Sequence, residues 1–314
     1  MAVGVFAGVP VSDYAGAVAW YERLLGTAPS CYRPAAASGA RPVASAVVPV
    51  DRLDPAQWLV EAITVFGGRV DQLMPPGFQS YLRVFHRPDQ GRPDAESAAS
   101  WAAVAAEKGT VLHPEAQWSA LSGSTGEGPR PEPITGSLDP LQLRHLSSVL
   151  AGNTSTPDAC HYALWEGTGL SPPSWGAHPR LALPGRRYWL FPTVPVSEIP
   201  ACSVELNVAG MEEKVAEHGD LRGFAVAATR PLQREDYVEL VRWQRREGFV
   251  QSPSWWWPED RAWVVHSEVD YDSTLVAGSS ALGAALLADP EIECLELGPA
   301  TLLTAHADLV NSRD

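Results

Sequence analysis

Residues 262–273, with the sequence AWVVHSEVDYDS, alternate apolar and polar side chains more regularly than any other segment of the chain. Successive side chains of a β-strand point to opposite faces of a sheet, so this alternation predicts a strand. One predicted face carries Trp263, Val265, Ser267, Val269 and Tyr271, and the other carries Val264, His266, Glu268, Asp270 and Asp272. We expect the aromatic face to be the buried one, because burying an unpaired carboxylate costs free energy.

The acidic face of this predicted strand leaves two interpretations open. Neighbouring carboxylates raise each other's pKa unless a cation lies among them. A half-exposed strand would keep them in water, with Arg261 or the pair Arg186 and Arg187 as counter-charges. Alternatively, a divalent metal ion would bind there, since oxygen ligands with one imidazole suit Mg, Mn or non-haem Fe. The ligands predicted for such a metal site are His266, Glu268, Asp270 and Asp272.

Tryptophan is unusually frequent, with 12 residues, and three of them are consecutive. Three adjacent side chains cannot all face one core, so at least one is expected to be exposed or to line a groove. The alternative is that these rings close the edge of the sheet. Trp165 and Glu166 end a second predicted strand, just before a loop rich in Gly and Pro. The predicted ligand-binding residues are therefore Trp165, Glu166, Trp255, Trp256 and Trp257.

The spacing of apolar residues changes after residue 158. Before it, apolar residues at helical spacing predict helices after Ser12-Asp13 and Asp54-Pro55, over 77–85 and 95–107, and after Asp139-Pro140. After it, strands are predicted at 161–167, 186–191, 204–208 and 292–297, with helices at 233–247 and 279–288. The predicted fold class is α+β, with a helix-rich N-terminal half followed by a mainly antiparallel sheet and a few helices.

Composition divides the chain into an appendage and one main domain. Residues 1–45 are predicted to form a strand–helix appendage and a linker, and residues 46–314 the main α+β domain. Residues 122–136, SGSTGEGPRPEPITG, offer little apolar surface to bury, so they predict a mobile loop.

Charge and motifs exclude several classes of function. The net charge of the 314 residues is −14, from 23 basic and 37 acidic side chains, which disfavours nucleic-acid binding. No apolar run approaches the roughly 18 residues of a membrane span, and the first residues lack a basic segment, so a cytoplasmic protein is expected. The four cysteines are scattered without a CxxC motif, and no nucleophile elbow, HExxH motif or dinucleotide fingerprint is present.

The start of the chain carries a recognisable fragment. Residues 5–26, VFAGVPVSDYAGAVAWYERLLG, resemble the opening strand and helix of the vicinal oxygen chelate superfamily, which includes glyoxalases and bleomycin-resistance proteins. That resemblance implies a metal-dependent enzyme. Phe6, however, stands where metal-using members carry a ligand, so residues 1–30 are predicted to form a strand and helix without completing the chelate barrel.

From about residue 54 onward, the chain resembles a group of uncharacterised actinobacterial proteins. The segments that carry this resemblance are MPPGFQSYLRVFHRP, LHPEAQW (112–118), TPDACHYALWEG (156–167) and SPSWWWPEDRAWVVHSEVDYDSTLVAGS (252–279). The resemblance implies no activity.

The resulting hypothesis is a soluble binding protein for a small molecule or a protein partner, without nucleic acid or membrane as a partner. Two alternatives stay open. One is a metal-dependent enzyme, either of the chelate type or using the acidic strand at 266–272. The other is an immunity-like protein that neutralises a toxin, which fits the acidic charge and the many tryptophans by analogy.

Overall fold

The computed structural model describes residues 5–6, 9–10, 47–88, 100–123, 132–168, 173–218 and 251–311. Near the start, strands β1 (Val5–Phe6) and β2 (Val9–Pro10) pair antiparallel. The predicted helix after Ser12-Asp13, the predicted helix over 233–247 and residues 124–131 of the predicted loop lie outside the described residues.

The described residues contain both helices and strands. The helices are α1 (Gln57–Ala62), α2 (Val70–Leu73), α3 (Trp101–Lys108), α4 (Trp118–Ser122), α5 (Pro140–Ala151), α6 (Ile199–His218) and α7 (Ser280–Ala288). The remaining strands are β3 (Ser80–Phe85), β4 (Cys160–Trp165), β5 (Leu181–Leu183), β6 (Arg186–Val194), β7 (Trp255–Pro258), β8 (Val264–His266), β9 (Ser273–Gly278) and β10 (Cys294–Glu296). Short 3₁₀ turns cover Asp54–Ala56, Glu166–Thr168, Pro173–Ala177 and Val196–Glu198.

Strands β3 to β10 form one 8-stranded sheet in the order β10-β3-β9-β8-β7-β4-β6-β5, and each neighbouring pair is antiparallel. The α+β class with an antiparallel sheet is thereby confirmed. The helix-rich N-terminal half is not supported, because residues 80–85 form a strand inside this sheet rather than the helix predicted over 77–85. β3 pairs with β9 and β10 on its two sides, and this pairing outweighs the helical spacing of its apolar residues.

The Asp-Pro signal in the sequence correctly located the start of α5. Asp139 is the N-cap of α5, where its carboxylate accepts hydrogen bonds from the backbone N–H groups of Leu141 and Gln142. The helix predicted after Asp139-Pro140 is therefore confirmed. The strand predicted at 204–208 is wrong, because these residues lie inside α6.

Two hydrophobic cores cover the two faces of the sheet. The first core contains Trp256, Trp263 and Val265 together with leucines of α5. The second contains Trp255, Trp257 and Val264 together with residues of α1 and α2. Because β7 is covered on both faces, its tryptophans are only 2%, 0% and 0% exposed. The expectation that at least one of Trp255, Trp256 and Trp257 is exposed or lines a groove is wrong.

The segment 262–273 is a hairpin rather than a single strand. β8 ends at His266, the backbone N–H of Tyr271 donates to the carbonyl of Glu268 at 3.0 Å, and β9 starts at Ser273. All three residues of β8 are buried, with Val264 in the second core and Val265 in the first, so neither face of β8 is in water. Residue alternation alone does not distinguish one long strand from two short strands around a turn. The predicted shared face of His266, Glu268, Asp270 and Asp272 is therefore wrong.

Candidate functional site

An open cleft of about 430 Å³ lies at the β5–β6 end of the sheet. One wall comes from the end of β4 and the turn that follows it, with Trp165, Glu166 and Gly167. The other wall is the β5–β6 hairpin, with Leu183, Gly185, Arg186 and Arg187. The cleft thus combines an aromatic ring with both signs of charge.

Two glycines shape the walls of the cleft. The hairpin turn is Pro184-Gly185, and Gly185 has a φ of +75°, as a Pro-Gly turn requires. A Cβ at Gly185 would lie 3.0 Å from the ring of Phe66. A Cβ at Gly167 would lie 2.2 Å from the ring of Trp165, so any larger residue there would displace that ring.

Arg186 is the most strongly held charge of the cleft. Its Nε and Nη2 donate to Oε1 of Glu268 at 3.2 and 2.7 Å, and Nη2 also donates to Oδ2 of Asp270 at 2.8 Å. The guanidinium carbon lies 5.1 Å from the centre of the Phe66 ring and 5.2 Å from that of Trp165, within cation–π distance.

Arg187 and Arg180 share a single carboxylate. Nε of Arg187 lies 2.5 Å from Oε1 of Glu166, and Nε of Arg180 lies 3.1 Å from Oε2. Arg180 also lies over the ring of Trp189, at 4.2 Å. Glu166 therefore fixes the position of Arg187 at the mouth of the cleft.

Behind Arg186, away from solvent, lies the pair His266 and Glu268. Nδ1 of His266 donates to the carbonyl of Ser254 at 3.1 Å, and its ring stacks on Trp255 with centres 3.8 Å apart. Its Nε2 therefore carries the lone pair, 3.8 Å from Oε2 of Glu268. Burial lowers the pKa of His266 to about 3, so the ring is neutral. Burial also raises the pKa of Glu268, against the opposing effect of Arg186.

Asp272 belongs to a different group of residues. Its Oδ1 accepts from Nη2 of Arg83 at 3.0 Å, and Arg83 is only 1% exposed. The guanidinium also donates to Ser273 Oγ and to the carbonyls of Pro114 and Ala116. Burial raises the pKa of Asp272, while Arg83 opposes that rise.

Three of the four predicted metal ligands are thus divided between two arginines, and the fourth has a backbone partner. Glu268 and Asp270 pair with Arg186, Asp272 pairs with Arg83, and His266 donates to a backbone carbonyl. Among the described residues, no three His, Cys, Asp or Glu side chains are grouped to hold a metal ion. The geometry gives the divalent-metal hypothesis no support, because guanidinium groups supply the positive charge that the carboxylates need.

A second polar group includes His86, the residue that follows β3. His86 is only 1% exposed, and its Nδ1 donates to the carbonyl of Ile134 at 2.6 Å. Its Nε2 accepts from the hydroxyl of Thr274 at 2.9 Å, which lies 2.7 Å from the hydroxyl of Ser267. This chain of hydroxyl and imidazole groups is buried throughout, so it has no access to a substrate and stabilises the hairpin.

Of the predicted ligand-binding residues, Trp165 and Glu166 line the cleft. Trp255, Trp256 and Trp257 do not, because each is buried in one of the two cores. Sequence reasoning treated Arg186 and Arg187 only as counter-charges and missed their place in the cleft wall. The signal for it was the turn Pro184-Gly185, which brings the next two residues to the end of the sheet.

No family model matches this chain, and comparisons with curated proteins and with solved structures find no match. The resemblances to the vicinal oxygen chelate superfamily and to the actinobacterial group therefore stay predictions. Within the described ranges, no helix has the length and apolar character needed to span a membrane.

Proposed function

We propose that this protein binds a small organic ligand in the cleft between the end of β4 and the β5–β6 hairpin. The observation that carries the proposal is the position of Arg186, whose guanidinium lines an open cleft beside two aromatic rings while buried Glu268 fixes it from behind. Ligand sites are typically concavities of roughly 300–1,000 Å³ that combine apolar walls with a few placed polar groups.

The residues of the cleft favour binding over catalysis. Its seven lining residues contribute no hydroxyl, thiol or imidazole group to the wall. The acid–base pair formed by His266 and Glu268 is only 2% and 3% exposed and lies behind Arg186. The charged groups of the cleft are therefore placed to orient a ligand. A protein partner, an immunity-like role, a metal-dependent activity and a cytoplasmic location stay predictions.

A ligand screen tests this proposal. A library of small organic compounds is screened by thermal unfolding of the wild-type protein, and every compound that raises the Tm is retested on Trp165→Ala. Arg52→Ala serves as the matched control, because the Arg52 side chain is 84% exposed and, among the described residues, pairs only with exposed Asp54. We expect the Tm shifts to vanish in Trp165→Ala and to persist in Arg52→Ala.

Two results would contradict the proposal. One is that no compound in the library shifts the wild-type Tm. The other is that the shifts persist unchanged in Trp165→Ala, which would place the binding site elsewhere.

A further inference from the structure

Arg186 is held by two carboxylates that differ greatly in exposure. The Glu268 side chain is 3% exposed and accepts two hydrogen bonds from the guanidinium. The Asp270 side chain is 71% exposed, lies at a turn and accepts one hydrogen bond. The first contact fixes the guanidinium, because a buried charge cannot lose its partner cheaply. The second contact is an exposed ion pair, which contributes little and exchanges readily with solvent.

The two arginines of the cleft also keep several N–H groups for a ligand. A guanidinium has five N–H donors arranged as a planar fork that matches a carboxylate. Within the part of the chain that the structure describes, Nη1 of Arg186 and both Nη atoms of Arg187 donate to no protein acceptor. Arg187 is 63% exposed, so its free donors are accessible to solvent.

We propose that the ligand of this cleft is a small carboxylate with a flat apolar body, and that its carboxylate replaces Asp270 on Arg186. This inference rests on the proposed function. Asp270 then acts as an internal substitute for the ligand and occupies the guanidinium while the cleft is empty. The apolar body packs against Trp165 and Leu183, which line the cleft beside Arg186.

Three probes that share a benzene ring but differ in charge test this inference: anionic benzoate, neutral benzamide and cationic benzamidine. Their affinities are measured by ligand-observed NMR on the full chain and on Asp270→Asn, Arg187→Gln and Trp165→Ala. Glu291→Gln is the matched control, because it removes one exposed negative charge just before β10, at the sheet edge opposite β5 and β6.

We expect benzoate to bind best, and Asp270→Asn to strengthen its binding at least threefold while Glu291→Gln leaves it unchanged. Arg187→Gln changes a side chain on the opposite face of β6 and should weaken benzoate less than threefold. Because Arg186→Gln alone would leave Glu268 buried without a partner, the variant Arg186→Gln/Glu268→Gln is used instead, and it should abolish benzoate binding while the protein stays folded.

Three results would overturn the inference. Asp270→Asn could leave benzoate binding unchanged, benzamide could bind as well as benzoate, or no probe could bind the wild-type protein or Asp270→Asn. If benzamide or benzamidine binds better than benzoate and Trp165→Ala abolishes that binding, the proposed function stands. The claim that the ligand is a carboxylate would then be refuted. Failure of the compound library in the wild-type protein would refute both.

Discussion

Nη2 of Arg186 lies 2.7 Å from Oε1 of Glu268, and this contact joins the start of β6 to the turn after β8. Strands β7 and β4 lie between β8 and β6 in the sheet, so the ion pair connects parts of the fold that share no backbone hydrogen bonds. The same guanidinium forms part of the cleft wall. Stability at this end of the sheet and the shape of the cleft therefore depend on one ion pair.

The two carboxylates on Arg186 should differ in their effect on stability. Glu268→Ala leaves a largely buried guanidinium without its main partner, so we expect it to lower the free energy of unfolding by about 3–5 kcal/mol. Asp270→Ala removes only an exposed ion pair and should cost at most about 1 kcal/mol. Urea denaturation measures both, and equal losses in the two variants would contradict this account.

Arg83 should be essential to the opposite half of the sheet. Arg83→Met removes the cation next to Asp272, whose side chain is 16% exposed, and leaves two backbone carbonyls without their donor. We expect a loss of about 3–5 kcal/mol in the free energy of unfolding. Arg83→Lys should recover little of it, since an ammonium group cannot reproduce the fork of the guanidinium. The control Arg187→Ala, at a side chain that is 63% exposed, should cost no more than about 1 kcal/mol.

Two buried histidines should make the protein sensitive to acid. Burial lowers the pKa of His86 from 6.5 to about 4 and that of His266 from 6.5 to about 3. Both pKa values are lower in the folded state, so the unfolded chain binds these protons first. Their contribution to stability is complete above pH 6.5 and is lost as the pH falls towards 4 and 3. The raised pKa of Glu268, Asp272 and Glu293 opposes this loss, so the test compares slopes between variants.

Between pH 6 and pH 4, we expect His266→Gln to reduce the slope of the unfolding free energy against pH by about 1.4 kcal/mol per pH unit. The control His306→Gln changes an exposed histidine and should leave the slope unchanged. If NMR titration shows that His266 becomes protonated near pH 6.5 in the folded protein, its neutral state in the structure is contradicted.

The sequence predicted elements whose signals are local and missed those that depend on long-range pairing. The Asp-Pro signal at 139–140 identified α5, because an N-cap acts within one helical turn. Residues 80–85 read as a helix and 204–208 as a strand, but their apolar spacing is ambiguous over so few residues. Residues 80–85 form strand β3 because they pair with β9 and β10, which lie about 190–215 residues further along the chain.

The candidate site was predictable only in part. Trp165 and Glu166 were found because an aromatic and an acidic residue end a strand before a loop. The pairing of Arg186 with Glu268 spans 82 residues, and no spacing rule connects them. Residues 262–273 do alternate apolar and polar side chains, but the chain makes a turn between β8 and β9. As a result, Asp272 pairs with Arg83 while Asp270 lies on the surface.

The cleft should also depend on the small size of Gly167. Gly167→Ala places a Cβ where the Trp165 ring now lies, so we expect the ring to move and ligand binding to fall at least tenfold. The matched control is Gly176→Ala, since a Cβ at that position meets no atom of the described residues within 4 Å. The same screening compounds measure both variants. Unchanged binding in Gly167→Ala, with the Tm preserved, would show that the Trp165 ring does not form the ligand site.

The most direct test of the binding cleft is the indole N–H spectrum of ¹⁵N-labelled tryptophan, recorded with and without a compound that raises the Tm. Trp165→Phe assigns the signal of Trp165, and Trp255→Phe, Trp256→Phe and Trp257→Phe assign those of β7. We predict that the compound shifts the Trp165 signal in a saturable way and leaves the signals of Trp256 and Trp257 in place. A compound that shifts the β7 signals while the Trp165 signal stays unchanged would contradict the account.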